Sequence, residues 1–158
     1  QDTIQLGYSR AEVGFLEFPQ LPSEKTYALD LGEPLQLTHG WRLEAELVSR
    51  RDYESLPLEV QQDRQHAWLN PADLVLPMEV RGMRPGERWA PLGMQGKHQK
   101  LSDFFINEKI PQGARAKWPL VLSEGSILWV CGLRISQAWR LIGDEHEILH
   151  LHLASPQR

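Results

Sequence analysis

The chain gathers basic side chains within and just after the stretch GKHQKLSDFFINEKIPQGAR, residues 96–115. These cations are Lys97, Lys100, Lys109, Arg115 and Lys117. Apolar residues at helical spacings interrupt them and can pin a short helix: Leu101, Phe104, Phe105 and Ile110. Flexible cations on a rigid scaffold are what contacts to nucleic-acid phosphates require. The stretch therefore predicts a surface that binds a polyanion.

The net charge of the chain conceals an asymmetry around this stretch. Seventeen Lys and Arg residues against 21 Asp and Glu residues give a net charge of −4 for 158 residues. Residues 81–117 hold eight of the cations and three of the acids, so this window carries +5 and the remainder carries −9. Segregated charge of this kind is typical of a face that meets a polyanion. The alternative is a solvated loop whose charges have no ligand.

Three arginines open this window beside a glycine turn. Arg84 and Arg88 can join the polyanion surface. Arg81 and Arg88 can instead hold the shape of the loop by pairing with a nearby carboxylate (Glu79, Glu87 or Asp103). The sequence leaves both roles open for Arg81 and Arg88.

Three histidines and one cysteine are the other candidates for chemistry. His150 and His152 share one face of a strand and could reach a metal, with His146 nearby, but such pairs are commonly the polar face of an edge strand. Cys131 lies in the apolar run ILWVCGL, where burial raises the pKa of a thiol and reduces its reactivity. We therefore expect no metal site and no catalytic residue.

The sequence contains no motif for a nucleotide cofactor and no membrane span. GMQGKH lacks the spacing of a phosphate-binding loop, and no glycine fingerprint joins a strand to a helix. No apolar run approaches the roughly 20 residues that a membrane span needs. A lone cysteine forms no intrachain disulfide, which favours the reducing cytoplasm.

Short strands with one helix must position these residues. The first fifth of the chain predicts two short strands, and WRLEAELV alternates as a strand does, with a helix as the alternative. Residues 49–66 predict an exposed loop with room for a helical turn, and disorder is expected here more than elsewhere in the chain. A helix of about two turns has Ser102 or Asp103 as its cap or first-turn acid and ends at Ile110-Pro111. Strands follow at 120–122, 127–131 and the alternating end EHEILHLHLA, so the predicted class is α+β.

A dense series of residues in the second half resembles the C-terminal domain of bacterial tRNA(Ile)-lysidine synthetase. In order, the matching positions are Arg81; Arg84, Gly86 and Arg88; Pro91 and Gly93; Gly96, Lys97 and Lys100; Leu101 to Ile106; Lys109, Ile110 and Pro111; Arg115; Pro119 and Leu120; Trp129, Gly132, Arg134 and Ile135. Three positions depart from the family pattern: Glu87 and Asn70 stand where Asp is usual, and Ser102 where Lys is common.

The resemblance implies a fold and a place in a longer enzyme. The fold is a β-rich sandwich with a short helix, similar to a domain of the phenylalanyl-tRNA synthetase β chain. Residues 21–154 would form this domain, best matched over 67–154, and residues 1–20 would be strands that belong either to this domain or to the end of a preceding one. The parent enzyme is a ligase of lysidine biosynthesis that uses ATP and Mg²⁺ to attach lysine to the wobble cytidine. The Ser-Gly-Gly-x-Asp-Ser loop of its N-terminal domain is missing here, so we expect a severed C-terminal part that needs no cofactor and is not catalytic alone.

The resemblance also implies a partner, the acceptor-stem region of tRNA(Ile). The predicted RNA-binding residues are Arg84, Arg88, Lys97, Lys100, Lys109, Arg115 and Lys117. Groove walls of an A-form duplex offer phosphates and 2′-hydroxyls rather than readable base edges, which agrees with a surface made of cations. One alternative is a module that packs against the rest of the enzyme or a second copy without touching RNA. Another is an independent enzyme that uses the histidines or Cys131.

Overall fold

The computed structural model describes residues 18–156, and the strands predicted within residues 1–17 lie outside that range. Eleven strands are present in the described range: β1 Tyr27–Leu29, β2 Leu35–Gln36, β3 Arg42–Ser49, β4 His66–Leu69, β5 Met78–Arg81, β6 Arg88–Trp89, β7 Gln99–Lys100, β8 Leu120–Ser123, β9 Ser126–Val130, β10 Arg134–Ile135 and β11 Glu147–Ala154. Four α-helices accompany them: α1 Arg50–Glu54, α2 Leu58–Gln61, α3 Leu101–Asn107 and α4 Gln112–Arg115. Within residues 18–156 no helix is long and apolar enough to cross a membrane.

The strands form two antiparallel sheets and one short ribbon. The larger sheet has the order β1-β5-β8-β9-β10, and the smaller has the order β2-β3-β11-β4. Strands β6 and β7 pair only with each other within the described range. This arrangement confirms the predicted α+β class with a sandwich of sheets.

Alternating apolar residues join the two sheets across one core. In β3, Leu43 and Ala45 are buried in this core, and in β11 Leu149, Leu151 and Leu153 are buried there too. The larger sheet contributes Met78, Val80, Val121 and Trp129, among others, from its facing side. Because the side chains of a strand alternate between its two faces, the register of each strand pair places every second residue in this core.

A second core attaches α3 to the outer face of the larger sheet. Leu101, Phe104 and Phe105 of α3 are almost completely buried, in one cluster with Leu120 and Leu122 of β8. Burial of a Phe or Leu side chain is worth about 1.5–3 kcal/mol. A helix of seven residues is too short to be stable alone, so this packing holds it in place. The domain therefore has three layers, with the larger sheet in the middle.

Local predictions were partly confirmed. WRLEAELV forms β3 rather than a helix, and a helix follows Lys100 as expected, with Asp103 in its first turn. Of the two roles expected for Ser102 or Asp103, Asp103 takes that of the first-turn acid, whereas the N-cap is Lys100, which has no capping side-chain bond. The N–H of Leu101 instead donates to the carbonyl oxygen of Glu87 at 3.0 Å.

Residues 49–66 are exposed or half-buried and contain α1 and α2, so the expected exposed segment with a helical turn is confirmed, whereas the expected disorder is not. The hydroxyl of Ser49 caps α1 by accepting the N–H of Asp52 at 3.0 Å. The side-chain amide of Gln61 in α2 donates to the carbonyl oxygens of Tyr53 and Leu56. The ring of Tyr53 packs 5.1 Å from that of Trp68. Local hydrogen bonds together with the contact to Trp68 fold a polar segment that has no periodic apolar pattern of its own.

Candidate nucleic-acid interface

The ribbon of β6 and β7 brings two of the predicted cations face to face. Arg88 lies directly opposite Lys100 in the register, and both side chains are exposed. The other face of the ribbon is buried, with the ring of Trp89 5.1 Å from Phe104 in an edge-to-face contact. Like charges directly opposite each other in a sheet are destabilising. A bound anion between Arg88 and Lys100 would remove this repulsion.

The pairing of Arg81 shows which arginine holds the turn. Arg81 is buried, and its guanidinium donates to both carboxylate oxygens of Glu87 at 3.0 and 2.7 Å and to the carbonyl oxygen of Gly82 at 2.9 Å. Burial alone would raise the pKa of Glu87, but the hydrogen bonds from Arg81 and from the backbone N–H of Arg84 lower it below its ordinary value. Arg81 is therefore structural, whereas the side chain of Arg84 is exposed at the turn.

Close backbone contacts bring this turn next to α3 and to the segment after α4. The carbonyl oxygen of Glu87 accepts the first N–H of α3, as noted above. A Cβ atom added to Gly82 would lie 2.2 Å from the carbonyl oxygen of Ala116, so only glycine permits this approach. Lys117, one residue further, is exposed. Arg84, Arg88, Lys100 and Lys117 thus belong to segments in direct contact.

Lys109 occupies an unusual backbone position at the end of α3. Its φ of 61° lies in the left-handed region. The N–H of Ile110 donates to the carbonyl oxygen of Phe105 at 3.1 Å, and that of Lys109 to Ile106 at 3.0 Å. These two bonds are the Schellman motif, whose left-handed residue is usually glycine. The fold alone would prefer glycine here, yet an exposed lysine is present.

The remaining two cations lie on either side of α3, Lys97 in a loop and Arg115 at the end of α4. Arg115 is half-buried, and its Nε–H donates to the carbonyl oxygen of Ile110 at 2.9 Å, which orients the guanidinium. Lys97 is exposed and closes a turn in which its N–H donates to Met94 at 3.0 Å.

The seven predicted RNA-binding cations share one property. None of them forms an ion pair with a carboxylate of residues 18–156. By contrast, five arginines outside the set are each paired with a glutamate: Arg42, Arg50, Arg64, Arg81 and Arg134. Arg51 and Arg140, also outside the set, have no such pair in that range. Unpaired, exposed cations retain their donors for an external anion.

Sequence reasoning missed a histidine cluster on the outer face of the smaller sheet. His66 stacks on His152 with ring centroids 4.2 Å apart, and Trp68 stacks on His150 at 3.9 Å. His66 Nδ1 and His150 Nε2 are 2.8 Å apart. Burial is the main cause that lowers the pKa of both His66 and His150, and the neighbouring His152 lowers each further. The register of β4 with β11, which sequence periodicity does not give, brings His66 to this cluster.

Protein contacts surround His150, His152 and Cys131 within residues 18–156. No group of three metal-ligating side chains with suitable geometry is present in that range. His150 and His152 bond instead to Glu46 at 2.8 Å and Glu44 at 3.1 Å. Cys131 is fully buried, and burial raises the pKa of its thiol well above the ordinary value, in agreement with the sequence argument.

Comparison with known proteins identifies the type of domain. Residues 78–153 match the family described as TilS substrate C-terminal domain. The tRNA(Ile)-lysidine synthase of Geobacter sulfurreducens is 40% identical over 75 residues, which are 48% of this chain and 16% of that protein. That of Dehalococcoides mccartyi is 28% identical over 133 residues, which are 84% of this chain and 27% of that protein. The chain therefore spans about a quarter or less of these relatives.

A solved structure extends the match to the three-layered fold. The crystal structure of a TilS C-terminal domain superimposes with a TM-score of 0.70 at 29% identity, over 85% of this chain and 100% of that one. The fold thus defines an α+β domain of the TilS C-terminal type. The chain carries the C-terminal domain of the tRNA(Ile)-lysidine synthase family.

Proposed function

We propose that this domain binds tRNA(Ile), at the acceptor-stem region, on behalf of a cytoplasmic lysidine synthase. The rest of that enzyme would modify the wobble cytidine to lysidine with lysine, ATP and Mg²⁺. The observation that carries the proposal is the set of seven cations without carboxylate partners in the described range, on segments that surround α3. The catalytic part would lie outside this chain, and the domain would supply affinity and orientation.

The geometry around α3 fits a phosphate backbone better than a small ligand. Lys100 precedes α3 and Lys109 follows it, so the seven residues of the helix separate them by about 10 Å at 1.5 Å per residue. Cations so far apart contact different phosphates of one strand rather than a single anion. Duplex RNA is bound mainly through its phosphates and 2′-hydroxyls, which needs this kind of distributed contact.

A salt titration of tRNA binding tests the proposal. Fluorescence anisotropy with labelled tRNA(Ile) should give an affinity that falls steeply with salt, because each phosphate contact releases counterions. Changing Lys97, Lys100 and Lys109 together to Glu should weaken binding at least tenfold and flatten the salt dependence by about one unit of slope per lost contact. Lys25→Glu is the matched control, since Lys25 is an exposed cation remote in sequence from α3. Equal binding by the triple variant and the control would refute the proposal.

An interdomain or dimerisation role remains the second candidate, and one observation favours it. Ile106 on α3 is 54% exposed, and a protein partner would cover this side chain. Sedimentation of the chain with and without tRNA separates the two roles. A dimer that dissociates on Ile106→Ser, with unchanged tRNA affinity, would favour the packing module. A monomer that binds tRNA would favour the RNA-binding domain.

A further inference from the structure

A cleft of about 430 Å³ opens where the edges of the two sheets meet, beside the end of α3. Strand β4 is the edge of the smaller sheet, and β10 is the edge of the larger one. Apolar side chains, among them Leu92, Leu133 and Ile135, line the cleft, and three arginines reach it: Arg64, Arg134 and Arg140. An apolar floor with cations beside it can accept a flat aromatic ring together with a phosphate.

The three arginines keep donors available despite their protein contacts. The guanidinium of Arg64 donates to the carbonyl oxygen of Leu133 and pairs with Glu108, and Nη1 of Arg140 donates to Gln137 at 2.8 Å. Arg134 lies over the Phe104 ring at 5.5 Å, with Nη2 3.5 Å from Glu108. A guanidinium has five N–H donors, so these contacts leave several donors of each arginine for a ligand. Together with Asp63 and Glu108, the arginines give the cleft a net charge of +1.

The cleft continues the proposed RNA surface. Glu108 is the C-cap of α3 and forms ion pairs with Arg64 and Arg134. The next residue is the exposed Lys109. A phosphate chain that leaves the surface at Lys109 therefore meets the arginines of the cleft directly. Bases in a duplex hide their faces in the stack, so only an unpaired nucleotide can lay its ring on the apolar floor.

We propose that this cleft binds a single-stranded end of RNA, with a base on the apolar floor and its phosphates on the arginines. The proposal rests on the proposed RNA-binding function and names the part of the RNA that this second site takes. An acidic protein segment is the competing occupant by charge, but it offers no aromatic faces for the floor.

Two hairpin RNAs that differ only in a single-stranded 3′ extension of four nucleotides test the proposal. We expect the extension to tighten binding to the whole chain roughly tenfold, as one charge-assisted contact with a stacked base should. Arg140→Glu should abolish that gain and leave the affinity for the blunt hairpin nearly unchanged. Leu92→Ser should also reduce the gain in affinity, since it removes an apolar side chain from the floor of the cleft without altering the charge. Lys100→Glu should weaken the binding of both hairpins equally, whereas Lys25→Glu should weaken the binding of neither.

The outcomes separate this proposal from the one on which it rests. If the blunt hairpin binds but the extension adds nothing, the cleft proposal is wrong and the RNA surface stands. A gain that survives both Arg140→Glu and Leu92→Ser also overturns it. Displacement of the extension by polyglutamate, but not by single-stranded RNA, would assign the cleft to a protein partner. Failure of the blunt hairpin to bind would instead reject the RNA surface itself.

Discussion

Replacing Lys109 by glycine should make the domain more stable and a weaker RNA binder. Its φ of 61° costs a residue with a Cβ about 1–2 kcal/mol, and glycine avoids this cost. Glycine loses about 0.5–1 kcal/mol more backbone entropy on folding. The net gain in free energy of unfolding is therefore about 0.5–1 kcal/mol, which corresponds to a rise of about 1–4 °C in Tm for a domain of this size.

The same change removes one phosphate contact from the proposed interface. Binding of tRNA at fixed salt should weaken several-fold, and the slope of log affinity against log salt should become shallower by about one unit. Thermal unfolding followed by circular dichroism and anisotropy with labelled tRNA(Ile) measure the two effects on one sample.

Two control variants separate backbone strain from charge. Lys109→Ala removes the cation but keeps a Cβ in the left-handed region, so it should weaken RNA binding equally without raising the Tm. Glu124 also has a positive φ, 46°, in the turn between β8 and β9. Glu124→Gly should raise the Tm similarly, with little effect on RNA binding.

The effects of Lys109→Gly on stability and on RNA binding can be refuted separately. A lower Tm for Lys109→Gly would show that the left-handed position is not what limits stability at the end of α3. A higher Tm with unchanged tRNA affinity would show that Lys109 makes no contact with RNA. RNA binding would then not explain why a lysine rather than a glycine occupies this left-handed position.

Other substitutions test the division between structural and binding groups. Arg81→Met should lower the free energy of unfolding by about 3 kcal/mol, because it leaves the carboxylate of Glu87 without its partner in a half-buried site; urea denaturation measures this. Arg88→Met should leave stability unchanged or slightly raised and should weaken tRNA binding; a loss of stability equal to that of Arg81→Met would contradict the assignment. Stability should also fall as pH decreases below about 6.5, because the pKa values of His66 and His150 are lower in the folded state and the unfolded chain binds these protons first. Urea midpoints from pH 8 to pH 5 measure that slope, which His66→Phe should reduce; a slope unaffected by this variant would refute the role of the cluster.

Patterns within single elements were readable from the sequence, whereas contacts between distant elements were not. Alternation identified β3 and β11, and Leu101 with Phe104 and Phe105 three and four residues later identified α3. Arg81 and Arg88 differ in role because the turn brings Glu87 back to Arg81. The ribbon instead places Arg88 opposite Lys100. Which of the two arginines pairs with Glu87 is therefore decided only by the folded turn.

Pairs far apart in the sequence account for the remaining differences. Arg64 and Glu108 are 44 residues apart, and His66 and His150 are 84 residues apart. Neither pair has a local signal, because sheet order and register decide which residues become neighbours. The predicted disorder of residues 49–66 failed for the same reason, since the contact that orders Tyr53 comes from Trp68 in another element.

The distribution of ion pairs explains how a chain with net charge −4 can bind RNA on one face. On the outer face of the smaller sheet, Glu44 and Glu46 are bonded to histidines, whereas the cations around α3 have no carboxylate partner in the described range. At physiological ionic strength a charge acts over about 8 Å, so an approaching phosphate responds to the face it meets rather than to the net charge. Under the proposal, the net negative charge of the chain would therefore not prevent a phosphate from docking at these cations.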